Sequence, residues 1–246
     1  MAAIDVGGDA INRTSFWGST YTLVSKNNPA NFSGKITSVQ IWAAAQLLNC
    51  EVAIFYAVSG TNLTTRSNAT IGTVNSGSLQ TFPVDLDVVA GDYIGLYFTG
   101  GAAQIEAASS GGLGLLYAAG DNIPCTNVLF TLQAGYIMSL YGTGIQAPAI
   151  TSLNPDNGIV GTEVVIAGTD FEAAQGTGGV TVDGVAADIG AWGDTEITIT
   201  IPDGVSVGDV DVVVTTAHSQ VSSAATFTVQ PGGNPMVKIL RMLAVE

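Results

Sequence analysis

Apolar and polar residues alternate with a period of two along most of this chain, in short runs broken by glycine, proline and asparagine. That period sends successive side chains to opposite faces of a strand, whereas an amphipathic helix would repeat near 3.6. Residues 36–42 read ITSVQIW and residues 52–58 read VAIFYAV. An acid-bearing run, VDLDVV, then meets a turn at Gly91-Asp92 and an apolar strand over 93–98. Further strands are predicted at 105–108, 113–117, 128–132 and 137–141, with turn residues at Asn68, Gly72 and Gly77. Beyond residue 148 the runs shorten: 150–153, 162–167, 180–182, 195–201 (TEITITI), 209–215 (DVDVVVT) and 225–229 (ATFTV). Asp183-Gly184 between two such runs is a strong hairpin signal. Strands this many and this evenly punctuated predict an all-β chain: a jelly-roll-like double sheet, then a small sandwich.

The pattern divides at GTGIQAP, residues 142–148, where two glycines and a proline suggest a short, semi-stiff connector. Such a connector would hold the two domains in a preferred orientation. The expected domains are 1–146 and 147–230, followed by a tail, 231–246. The tail opens with PGGNP and continues MVKILRMLAVE. Met236, Ile239, Leu240 and Leu243 recur at helical spacing, with Val237 and Met242 beside them and Lys238 and Arg241 on the flank. Eleven residues are too few for an isolated helix in water, where about 12–15 are marginal. The tail is therefore expected to pack on its own domain, dock in a groove of a neighbouring subunit, or add a strand to a neighbour's sheet.

PAITSLNPDNGIVGTEVVIAGTDF, VTVDGVAA, DTEITITIPDG, GDVDVVVTT and ATFTV follow one another through residues 148–230. In that order they resemble the IPT/TIG domains, an immunoglobulin-like sandwich. The resemblance covers about a third of the chain and implies fold more than task. The family serves as a spacer, an adhesive module, and a dimerising or DNA-contacting module. The opening IDVGGDAINR, NPANFSGKITSVQIW, LQTFPVDLDVVAGDYIGLYF and SLYGTG resemble uncharacterised β-sandwich domains of phage-related and bacterial surface proteins. That likeness implies a structural or adhesive role and supplies no active site.

Charge narrows the partners. The chain carries −14 overall, and residues 147–230 hold eleven acids and no Lys or Arg. Nucleic-acid affinity comes from cationic side chains that release counterions, so the DNA-contacting use of this fold is not expected. No apolar run approaches the ~20 residues of a membrane helix, so no membrane insertion is expected. MAAIDVGGDAINR has no basic leader followed by an apolar stretch. Action at the place of synthesis, release by lysis or assembly, or a trimmed leader would each be consistent with that.

Candidate chemistry is sparse. His218, the single histidine, lies in TTAHSQVSS without the placed partners that a triad or metal site requires. Asp85 with Asp87, and Asp209 with Asp211, share strand faces, which usually marks a solvated face rather than an acid–base pair. GGLG at 111–114 lacks the Gly-Lys-Ser/Thr of a phosphate loop. No cofactor is expected. A structural Ca²⁺ would sit where loop acids converge, at Asp170 with Glu172 or Asp92 with Asp121, although no DxDxDG loop is present. Cys50 shares a face with Val52 and Ile54, and Cys125 lies beside Pro124 in a loop. Two ordinary thiols are expected, with a disulfide as the alternative.

No catalytic or metal-binding residue is assigned. The sequence is read as a non-enzymatic structural protein of a virion, a bacteriophage capsid-decoration or tail-associated subunit. Homo-oligomerisation and contacts with other virion proteins are expected. The alternative is a bacterial cell-surface or secreted adhesin or carbohydrate-binding module. Exposed aromatics near turns, Trp17, Tyr21 and Trp192, would then touch the glycan, whereas Trp42, Tyr56, Tyr93 and Tyr97 fall in strands and read as core.

Overall fold

A computed structural model describes residues 3–107 and 111–232. All the elements among them are strands, and they divide into two units at Gln146 and Ala147. The tail residues Met236, Val237, Ile239, Leu240, Met242 and Leu243 lie outside the described residues.

The first unit runs through β1 (Ala3–Gly8), β2 (Ser15–Gly18), β3 (Tyr21–Ser25), β4 (Gly34–Ile41), β5 (Ala43–Ser59), β6 (Asn62–Val74) and β7 (Gln80–Val88). It continues with β8 (Tyr93–Tyr97), β9 (Gly100–Glu106), β10 (Leu115–Ala119), β11 (Val128–Leu129), β12 (Thr131–Gln133), β13 (Ile137–Met138) and β14 (Leu140–Gln146). One sheet has the order β1-β14-β4-β7, and the other carries β6-β5-β8-β3 at its centre. Lettered B to I in chain order, these eight strands give sheets BIDG and CHEF, the double Greek key of a jelly roll. The segment between β8 and β14 is an insertion in that scheme. Its β9 pairs with β5, β2 and β13, while β10 extends the second sheet beyond β3.

The two sheets bury one another. Ile4, Val6, Ile36, Val39 and Leu86 come from the first sheet, and Leu23, Val52, Ile54, Ile94 and Leu96 from the second. Each is fully buried. At roughly 1.5–3 kcal/mol per buried side chain of this size, the sandwich interior is the main stabilising term. A second cluster lies on the other face of the second sheet, where Val24, Ala53, Phe55, Leu63 and Leu116 meet Ile123 and Phe130 of the insertion. Val52, Ala53, Ile54 and Phe55 are consequently all at 0% exposure, although VAIFYAV predicts alternation. A strand covered on both faces reads as a continuous apolar run.

Other expectations need correction. Asn68 and Gly72 sit inside β6 rather than in turns. Gly72 pairs with Cys50 and Thr70 with Glu51, so the pairing skips a residue, and Gly72 takes φ +84 at this bulge. Residues 142–146 belong to β14, which pairs with both β1 and β4, so they are not a connector. Tyr56 is not core: it is 36% exposed, and the Arg66 guanidinium lies 4.8 Å from its ring centre. Trp42, Tyr93 and Tyr97 are half-buried. Cys50 and Cys125 are free thiols, and Cys50 packs with Val52 and Ile54 in the interior cluster. Burial pushes the Cys50 thiol up to about 12.

The second unit contains β15 (Ala149–Asn154), β16 (Asn157–Gly158), β17 (Glu163–Thr169), β18 (Gly179–Val182), β19 (Val185–Ala186), β20 (Asp188–Trp192), β21 (Glu196–Thr200), β22 (Gly208–Thr215) and β23 (Ala225–Val229). Its sheets have the orders β15-β17-β21-β20 and β16-β23-β22-β18-β19. This is the ABED and GFC arrangement of an immunoglobulin sandwich, with short extra edge strands. Val164, Ile166, Ile197 and Ile199 face Val180, Val182, Val212 and Phe227 across the core. Asp183 and Gly184 turn the hairpin at φ +53 and +76, as a type I′ turn requires. A Cβ on Gly168 would lie 2.3 Å from the Phe171 ring, so glycine there lets Phe171 close the end of the core.

Candidate functional site

β2 alternates as SFWG, which sends Phe16 outward, 69% exposed, and turns Trp17 back onto the interior cluster. Trp17 pairs with Ala103 on β9, a partner small enough to leave room for the indole. On β3, Tyr21 and Leu23 share a face. Tyr117 of β10 pairs directly with Leu23, so Tyr21 and Tyr117 are diagonal neighbours on that face. Tyr136 comes from the stretch just before β13, where the side-chain amide of Asn27 donates to its carbonyl at 2.9 Å.

These four rings converge. The Trp17 centroid lies 5.1 Å from Tyr117, 6.0 Å from Tyr136 and 6.2 Å from Tyr21. Tyr21 and Tyr117 are 5.9 Å apart at an interplanar angle of 78°. Edge-to-face pairs at about 4.5–7 Å hold each other in fixed orientation and add roughly 0.5–1.5 kcal/mol each. All four are half-buried and packed on the interior cluster. The arrangement is a rigid aromatic surface with Trp17 at its hub.

Sequence reasoning selected Trp17 and Tyr21, and the fold brings them together. It missed Tyr117 on β10 and Tyr136 just before β13, which reach the cluster from about a hundred residues further along the chain. Trp192 lies in the other unit. Its indole N–H donates to the carbonyls of Phe171 at 3.0 Å and Glu172 at 3.1 Å, so its polar edge is engaged within its own sandwich.

The acids have partners too. Asp85 and Asp87 both grip the Lys35 ammonium, at 2.8 and 3.0 Å, on an exposed strand face. Asp92, its side chain 4% exposed, is bound by the Arg66 guanidinium and accepts the Val89 N–H at 2.8 Å. Asp121 accepts the Ile123 N–H at 3.0 Å. Among the described residues, no three His, Cys, Asp or Glu side chains form a group that could hold a metal ion.

With this geometry in place, comparison with known proteins bears on the second unit. Residues 148–229 match the IPT/TIG domain model. This segment is an IPT/TIG domain. An IPT/TIG domain is a non-catalytic immunoglobulin-like module, and the sheet orders of this unit agree with it. No curated protein sequence matches the chain. Among solved structures, a gamma-CGTase from Alkalophilic bacillus clarkii is 24% identical over 48% of this chain and 17% of its own, with a TM-score of 0.32. A copper-bound fungal alcohol oxidase of the AA5 family is 10% identical over 78% of this chain and 55% of its own, at 0.29. The extracellular region of plexin A4 is 13% identical over 92% and 25%, also at 0.29. The chain thus spans between about a sixth and about half of the length of these proteins, and the overlaps assign it no activity.

His218 belongs to the IPT/TIG domain and is engaged structurally. Its Nδ1 lies 2.7 Å from Oε1 of Glu172, whose side chain is 8% exposed. Burial alone would push the Glu172 carboxyl up, but hydrogen bonds from His218 and Thr216 outweigh it and hold the carboxyl below its ordinary value of 4.5. A depressed carboxyl pKa stabilises the fold above the unfolded value, and that contribution is lost as pH falls through the folded value. His218→Ala is therefore expected to lower the melting temperature at pH 7 and to make little difference near pH 3. Thermal unfolding of both proteins across that range checks this, and an equal loss at every pH would contradict it.

Proposed function

We propose that this chain is a non-enzymatic binding protein of a particle or cell surface. Its jelly roll presents the aromatic cluster to a glycan, and its IPT/TIG domain acts as an acidic display module. The cluster carries the proposal. Sugar rings offer polarised C–H groups on one face and hydroxyls around the edge. The negative face of an aromatic ring attracts the former, and phenol hydroxyls exchange hydrogen bonds with the latter. Rings already locked by each other lose little conformational entropy on binding. The acidic IPT/TIG surface favours solubility and repels anionic surfaces.

A second reading, a bacteriophage capsid-decoration or tail-associated subunit, is favoured by the apolar pattern of the tail at Met236, Ile239, Leu240 and Leu243. In that reading the tail docks on a virion protein or a second copy, and such subunits are commonly symmetric homo-oligomers.

Two experiments test these readings. Affinity electrophoresis through a panel of immobilised polysaccharides is expected to show retardation of the wild-type chain by at least one glycan. Trp17→Ala and Tyr136→Ala should weaken that binding about tenfold, near 1.4 kcal/mol, while Trp192→Phe leaves it unchanged. Folded variants that bind like wild type would contradict the glycan reading. For the virion reading, a chain lacking residues 233–246 should fail to join purified particles and should shift to a smaller species by light scattering. Unchanged incorporation would contradict it.

A further inference from the structure

Beside β1 the chain leaves a cleft of about 470 Å³. Ligand pockets commonly fall between about 300 and 1,000 Å³, mostly apolar with a few convergent polar groups. Here the polar groups are Asp5 on β1, Asp9 and Arg13 on the segment leading to β2, Asn28 after β3, and Tyr141 on β14. Ile11 and Leu113 supply apolar surface in the same wall, 51% and 58% exposed.

The polar groups are held in place. The Tyr141 hydroxyl donates to Asp5 Oδ2 at 3.3 Å, and Asn28 Nδ2 donates to Asp5 Oδ1 at 3.2 Å. Arg13 donates through Nη2 to the Asp9 carbonyl at 2.9 Å and through Nε to Ser139 Oγ at 2.9 Å. Its backbone carbonyl receives the Gln104 side-chain amide. Burial, reinforced by Asp5, pushes the Tyr141 hydroxyl above its ordinary pKa, so it remains a donor at neutral pH. An ionised carboxylate has about four lone-pair sites, so two donors leave Asp5 with acceptor capacity. Arg13 has N–H groups beyond the two in use.

The cleft shares backbone neighbours with the ring cluster. Ile137 in its wall follows Tyr136 directly, and Asn27, also in the wall, is the residue whose amide holds the Tyr136 carbonyl.

We infer that the cleft takes the terminal sugar of a neutral glycan, an inference that rests on the glycan-binding reading above. Asp5 and Asp9 accept hydrogen bonds from adjacent hydroxyls, and the free N–H groups of Arg13 donate to sugar oxygens. Bonds to ionised groups are about twice as strong as neutral ones. Two carboxylates against one guanidinium, on a chain of net charge −14, select against uronic and other acidic sugars.

Calorimetric titration of the full chain with maltohexaose, cellohexaose, mannohexaose and hexagalacturonate tests this inference. The expected result is measurable binding of at least one neutral oligosaccharide and at least about tenfold weaker binding of hexagalacturonate. Asp5→Asn and Asp9→Asn should each weaken the neutral ligand about fivefold or more, while Asp188→Asn, an exposed acid of the IPT/TIG domain, has no effect. Asp9 is exposed, so its near-isosteric change tests the cleft without disturbing the core. If both cleft variants bind like wild type while Trp17→Ala loses the ligand, the cleft inference falls and the ring surface stands. Should Trp17→Ala also bind like wild type, both fall. Tighter binding of hexagalacturonate than of every neutral sugar would overturn the inference as well.

Discussion

The centre of β5, Val52 to Phe55, is covered on both faces. Cys50, Val52 and Ile54 look into the space between the two sheets, and Ala53 and Phe55 look outward into a second apolar cluster roofed by Ile123 and Phe130. Along its edges the same strand pairs with β6 on one side and with β8 and β9 on the other. Val52, Ala53, Ile54 and Phe55 are all at 0% exposure. The jelly roll depends on this strand, because its partner strands lead to the rings. β8 pairs β5 with β3, which carries Tyr21, and β9 joins it to β2, which carries Trp17. A rigid centre of this kind is what allows half-exposed rings to hold a fixed geometry at the edge.

The insertion between β8 and β14 gives this jelly roll its particular character. Its middle, with Ile123 and Phe130, closes the outer core. The rest supplies Tyr117, Tyr136 and part of the cleft wall. Structural closure and the candidate binding surface therefore come from one segment. The IPT/TIG domain is built on simpler terms, with one core between two sheets and an acidic exterior. Its single histidine pairs with the buried Glu172 at 2.7 Å.

Much of the architecture was legible in the sequence. Alternation located most strands, Asp183-Gly184 located its hairpin, and the ordered motifs from residue 148 onward identified the IPT/TIG domain. What escaped was set by tertiary context. Alternation in VAIFYAV concealed the second core, because the residues that cover Phe55 lie some seventy positions away. Gly72 signals a turn locally, yet the bulge opposite Cys50 places it inside a long strand. Residues 142–146 have a connector's composition, but their Gly-rich backbone runs between β1 and β4, where Gly144 meets the Lys35 carbonyl too closely for any side chain. Of the ring cluster, Trp17 and Tyr21 were singled out as aromatics near a turn, although both are half-buried. Tyr117 and Tyr136 carry no local signal, since only the pairing of β10 with β3 and the Asn27 anchor bring them in.

Native-state amide hydrogen exchange tests the central role of β5 most directly. Amides in a core covered on both faces exchange only through global opening, while edge strands open locally at much lower cost. The account predicts that Val52, Ala53, Ile54 and Phe55 are among the slowest amides in the protein and share one opening free energy with Leu23 and Ile94. Exchange at Val52–Phe55 as fast as at the short strands β11 and β12 would contradict it.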